Sequence, residues 1–215
     1  MWTIENLLQN FFTHKDFLPP AGELPGTLFT PLHFVFSLGC IAIVVASCLL
    51  CAKKDENTLR MVFAILWATT VVLEFAKIIW ETYSGKTVQF EWGGVLPLYP
   101  CSIFMYAMPF AIWGKANVHK AACGYVCSLG LLGGAINFVY PANILSAYSC
   151  ISFAGFHTFF YHGCIVFCAV TMLLSGYHSY KGITRARELL LPAVPFLLVS
   201  IVANAVNFSP IDSDY

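Results

Sequence analysis

Charge is what this sequence has least of. Lys and Arg together number 11 and Asp and Glu together 11 among 215 residues, so the formal net charge is zero and 10% of the chain is charged. No basic run occurs, which removes the electrostatic footprint expected of a partner for nucleic acid or an anionic surface. The first 30 residues lack a basic leader followed by an apolar core, so no cleavable signal peptide is expected. An internal repeat and any separator long enough to hold a soluble domain are also missing. What fills the chain instead is apolar surface: 59% hydrophobic residues and a mean hydropathy of +0.74, more than a soluble domain of this length can bury. The composition is that of an integral membrane protein.

Six apolar stretches, at about 31–52, 61–82, 97–113, 121–139, 153–174 and 189–207, each approach the roughly 20 residues a helix needs to cross the hydrocarbon core. The expected fold is all-α and polytopic: six transmembrane helices over residues 31–215, preceded by an interfacial segment at 1–30. In that segment Trp2, Leu7, Leu8, Phe11 and Phe12 suit a short helix lying in the interface. The separators carry turn or charge signals, as in "AKKDENTLR" and "GKANVHK". Basic residues distribute unevenly. Lys15 and Lys86 fall on one side, Lys53, Lys54, Arg60, Lys115, Lys120, Lys181, Arg185 and Arg187 on the other, and Lys77 inside a helix. By the positive-inside rule, loops one, three and five are cytoplasmic and both termini lie outside the cytoplasm or in a lumen.

Polar residues inside spans are costly and are usually kept for a site. Glu74 lies about eight residues, roughly 12 Å, from the outer end of its helix, Cys101 roughly 6 Å inside the next, and His162 roughly 14 Å inside the fifth. Lys77, His33, Asn137, His157, Asn204 and Asn207 also fall in outer halves, so one leaflet is expected to hold nearly all the chemistry. Bland roles compete with this reading. Glu74 and Lys77 are three apart on one helix face and can simply neutralise each other. Asn137, Asn204, Asn207 and the histidines can serve as hydrogen-bonding links between helices. Among the cysteines, Cys48 and Cys51, Cys123 and Cys127, and Cys164 and Cys168 share helical faces without a loop to close on zinc. They read as small packing residues, and no metal is expected.

The stretch "VLPLYPCSIFMY", residues 95–106, sets a thiol directly after a proline break. Pro100 suits the first position of a helix, where its missing N–H costs nothing. Cys101 then lies in the first turn, beside unpaired backbone N–H groups and the positive end of the helix dipole, which favours a nucleophilic thiolate and offers donors to an oxyanion. The competing reading is a Cys101–Cys150 disulfide in an oxidising compartment.

Four motifs, "LEFAK", "LPLYPCS", "GLLGGAINFVYP" and "FHTFFYHG", resemble those of the YwaF-like bacterial integral membrane proteins and of the transmembrane protein 164 family of ether-phospholipid acyltransferases. The resemblance runs from about residue 60 to 175. These families are similar in fold to the androgen-induced fatty-ester hydrolases, also six-helix membrane proteins. The resemblance implies a cysteine nucleophile after a proline, here Cys101, and a histidine from a later helix, here His162, with Glu74 and Lys77 as the acidic residue and lysine of the upstream helix. Asn137 and His157 stand as supporting residues.

The function expected is that of a membrane-embedded lipid acyltransferase. Its Cys101 thioester would form on a phospholipid acyl donor and be resolved by a lysolipid acceptor, with no cofactor. A lipid-ester hydrolase using the same site is the alternative. A small-solute transporter and a non-enzymatic scaffold are the rivals from other classes.

Overall fold

A computed structural model describes residues 3–88, 97–180 and 190–209, and every regular element among them is helical. Trp2, Lys181, Arg185, Arg187, the start of the sixth span and residues 95 and 96 of the proline segment lie outside the described residues.

Helix α1 (Ile4–Gln9) begins with a reciprocal cap between Thr3 and Asn6 and buries only Leu7. The residues after it are tied to the rest of the molecule. Phe153 N–H donates to the Phe11 carbonyl at 2.8 Å and Trp80 Nε1 to the Phe12 carbonyl at 2.9 Å. Further on, Gly26 at φ 82° sits so tightly that a β-carbon would meet Ser149 Oγ at 2.6 Å and Cys150 Sγ at 2.8 Å; only glycine satisfies both demands. The segment before residue 31 therefore caps one end of the bundle, here termed the upper end.

Helix α2 (Pro31–Cys51) opens with Thr30 as N-cap and Pro31 in the first turn. It buries His33, Ser37 and Cys48, a narrow seam of small and polar residues on an otherwise exposed apolar rod. Asp55 caps α3 (Glu56–Ser84), which runs back to the upper end and is longer than the expected 61–82. A 3₁₀ turn, Pro100–Ser102, leads into α4 (Ile103–Trp113). Pro109 within α4 cannot donate to the Met105 carbonyl one turn earlier, and Trp67 Nε1 of α3 donates to it instead at 2.8 Å.

From the lower end, α5 (Ala116–Tyr125) continues through a π turn, Val126–Gly130, into α6 (Leu131–Val139), followed by the short α7 (Ala142–Leu145). Helix α8 (Phe153–Leu174), capped by Ser152, matches the expected bounds and buries 15 of its 22 residues. That makes it the hub, packed against α2, α3, α6 and the π turn. Helix α9 (Ala193–Asn207) leans on α4 and α5 and buries only Ala203.

Four helical runs, Pro31–Cys51, Glu56–Ser84, Ala116–Leu145 and Phe153–Leu174, are long and apolar enough to cross a membrane. The other two expected spans are realised as shorter apolar helices, Pro100–Trp113 and Ala193–Asn207. At 1.5 Å per residue each covers only about 21–22 Å, less than the roughly 30 Å hydrocarbon core. An apolar cavity of about 500 Å³ lies between α2, α3 and α8.

Candidate active site

The polar residues of three elements meet near the upper end. On α3, Glu74 Oε2 stands 3.2 Å from His157 Nε2 of α8, within ion-pair distance although the atoms are not aligned as a hydrogen bond; the two side chains are 15% and 5% exposed. Lys77 Nζ does not pair with Glu74. It reaches forward one turn to Glu81 Oε2 at 4.0 Å. Of the two readings open to Glu74 and Lys77, the direct ion pair is not formed: α8 brings His157 to Glu74, while Glu81 offers Lys77 a carboxylate in a more open position.

Cys101 sits in the 3₁₀ turn, half-buried. The turn is held by two phenols from other helices: Tyr125 OH donates to the Pro100 carbonyl at 2.6 Å and Tyr161 OH to the Cys101 carbonyl at 3.4 Å. One of the backbone donors anticipated beside the thiol is already engaged, since Ser102 N–H bonds the Tyr99 carbonyl at 2.8 Å. Glu74 and Lys77 both lie within electrostatic reach of Cys101.

His162 is buried on α8, directly after Tyr161. Its Nδ1 is 2.8 Å from the Thr158 carbonyl. A carbonyl only accepts, so Nδ1 carries the proton and Nε2 keeps its lone pair. That Nε2 is buried without a hydrogen-bond partner, so it does not engage the Cys101 thiol in this state. Glu74, His157 and Lys77 lie within electrostatic reach of His162. The arrangement is a buried imidazole grouped with Glu74, His157 and Lys77, on the helix whose Tyr161 holds the backbone of Cys101.

Asn137 is not drawn in. Its Nδ2 donates to the Gly133 carbonyl of its own helix at 3.0 Å, and Asn204 does the same to Ser200 at 2.8 Å, so neither is the interhelical link expected. His33 Nδ1 accepts from Phe29 N–H at 3.2 Å, within its own segment. All nine cysteines are free, so Cys101 and Cys150 are not joined; Cys101 packs against the main core and Cys150 belongs to a second cluster around Phe138 and Tyr148. The paired cysteines pack as expected and also donate weakly across helices, Cys48 to the Phe167 carbonyl at 3.8 Å and Cys127 to the Ala169 carbonyl at 3.6 Å. No group of three or more potential ligands that could hold a metal ion occurs among the described residues.

The structure adds Tyr125, Tyr161 and Glu81 to the cluster's surroundings. The signal for Tyr161 was present in "HTFFYHG", where it follows His157 by four residues and precedes His162, placing it between two candidate residues on one helix. At the lower end, Cys123 Sγ lies 3.6 Å from His119 Nε2, a contact hidden because His119 reads as loop while α5 begins at Ala116.

Helix number, length and apolarity define a multi-pass membrane protein. The sequence profile of the TMEM164 family matches residues 28–208, a range that holds every residue of the cluster. The chain belongs to the TMEM164 family. No curated protein and no solved structure matches it.

Proposed function

We propose that the protein is a membrane-embedded lipid acyltransferase in which Cys101 is the nucleophile and His162 the base. The observation that supports this most is the unpartnered Nε2 of His162, a buried acceptor on the helix whose Tyr161 grips the Cys101 carbonyl. An acceptor left without a donor costs about 1–3 kcal/mol, a cost that is understandable where the donor is a thiol brought into line when substrate binds, since catalytic hydrogen bonds often tighten only then.

The thiol proton passes to Nε2, and sulfur attacks the acyl carbonyl carbon of a phospholipid. The tetrahedral intermediate collapses with loss of the lysolipid oxygen, which takes the proton from His162 and leaves an acyl thioester. A second lysolipid hydroxyl gives its proton to Nε2 and attacks the thioester, and the departing thiolate recovers that proton. Glu74 holds His157 and contributes negative charge beside the imidazole, while Lys77, paired only loosely, is free to meet a lipid phosphate. Water in place of the acceptor gives the ester hydrolase.

The site end of the bundle is proposed to face away from the cytoplasm. Lys53 and Lys54 follow α2, Arg60 stands near the start of α3, Lys115 precedes α5 and Lys120 lies in its first half, so five basic residues gather at the lower end, against Lys15 and Lys86 near the upper. Accessibility tags at Lys54 and Lys115 are expected to report cytoplasm and a tag at Lys86 the opposite side; the reverse pattern overturns the orientation.

The functional test is transfer of a labelled acyl chain from phosphatidylcholine to a lysophospholipid in liposomes holding the purified protein. Cys101→Ser is expected to abolish transfer while the protein stays monodisperse, and Cys150→Ser to retain it. Full transfer by Cys101→Ser would remove the nucleophile assignment.

A further inference from the structure

A second cavity, of about 370 Å³, lies between α4, α5 and α9. Its wall is mostly apolar and includes Ile103, Tyr106, Phe110, Val118, Ala121 and Leu198. Its uppermost lining residue on α4, Ile103, is two residues past Cys101 in the chain, although Cys101 itself does not line the cavity. Tyr106, one turn further, lines the cavity and is also within electrostatic reach of Glu74. From Ile103 to Phe110 the wall descends seven residues, roughly 10 Å, and Val118, past the turn into α5, stands at the far end. Helix α9 borders the cavity while burying only Ala203 of its own residues. It stands off from the bundle more than it packs into it.

We infer that this groove holds the acyl chain whose ester carbon Cys101 attacks. The inference rests on the acyl-transfer reading of the site. Three observations select the occupant. The groove is concave and apolar, and in size it lies within the range of ligand sites. At the depth of the spans the surrounding medium is hydrocarbon, so an apolar groove there takes an alkyl chain at no cost in dehydration. Tyr106, which lines the groove and lies within electrostatic reach of Glu74, joins its upper end to the site and sets the direction: the ester toward the thiol and the tail down α4 toward Val118. The larger cavity between α2, α3 and α8 has no lining residue from α4 or from the Pro100–Ser102 turn; it reaches the site from the α8 side, past Gly163, and not along the segment that carries Cys101.

The position of Val118 makes the groove a ruler for chain length. Full-length protein in lipid nanodiscs is given fluorogenic octanoyl and palmitoyl esters, and the ratio of the two rates is read. Val118→Trp blocks the far end, and the palmitoyl rate is expected to fall relative to the octanoyl rate by about tenfold or more, the scale on which an apolar pocket discriminates chain atoms. Ala121→Leu narrows the same groove with a smaller side chain and is expected to shift the ratio the same way if the Trp variant does not fold. Ser47→Trp, in the other cavity, is expected to leave the ratio unchanged. Turnover of both esters with an unaltered ratio in Val118→Trp and Ala121→Leu overturns the groove assignment and leaves the acyl-transfer reading standing. A shift in Ser47→Trp alone moves the chain to the other cavity and also overturns it. A wild-type protein that takes neither ester removes the acyl-transfer reading, and the groove's role with it.

Discussion

His162 shows how a single residue acquires a role from its two nitrogens. The Thr158 carbonyl fixes one as donor, and burial leaves the other as an unused acceptor. Glu74 and Lys77 show the reverse, two charges that sequence spacing couples and the fold separates. The separation gives unequal consequences. Glu74→Ala removes the carboxylate that stands 3.2 Å from the buried His157 and is expected to destabilise by about 1–3 kcal/mol, the scale on which a buried polar contact is lost. Lys77→Met breaks a 4.0 Å contact to a carboxylate that is 36% exposed and is expected to change stability by at most about 1 kcal/mol. Thermal unfolding of the detergent-solubilised variants measures both, and equal losses would mean that Glu74 and Lys77 depend on each other after all.

At the scale of the elements, irregular backbone marks the site. Non-helical backbone at membrane depth persists only where protein groups satisfy it, and the Pro100–Ser102 turn is met by the hydroxyls of Tyr125 and Tyr161. Pro109 repeats the device one helix turn deeper, with the Trp67 indole replacing the lost N–H. Trp67→Phe is expected to cost about 1–3 kcal/mol by leaving the Met105 carbonyl short of a donor. In a Pro109→Ala background the helix supplies its own N–H, so the same substitution should cost less, and the difference between the two costs is the coupling energy of the pair. Identical costs in both backgrounds would show that Trp67 acts through packing alone. Sequence could not reveal the indole's partner, because Trp67 and Met105 lie 38 residues apart. The apolar stretch at about 153–174 does match α8, which Ser152 caps. The third span, expected from 97, was drawn three residues too long, because apolar composition alone does not distinguish helix from the residues that lead into it. In the same way sequence offered Lys77 as a partner for Glu74 and could not offer His157, whose approach depends on how α3 and α8 pack.

For the whole molecule, the arrangement is a central helix, α8, with staves around it and two openings toward lipid, one between α2 and α3 and one beside α9. The upper end is closed by the first 30 residues and holds Cys101, Glu74, His157 and His162; the lower end carries the basic turns and the His119–Cys123 contact. A site placed beneath a cap and beside side openings suits a substrate that arrives from within the bilayer. The account turns on whether Cys101 becomes acylated and whether His162 makes it so. The direct measurement is peptide mass analysis of the protein after incubation in phospholipid bilayers, with and without hydroxylamine, for the wild type and His162→Ala. The account predicts an acyl mass on the Cys101 peptide that hydroxylamine releases, absent in His162→Ala although the variant remains folded. Lipid turnover with no acyl group on Cys101, or an adduct on another of the nine cysteines in its place, would contradict it.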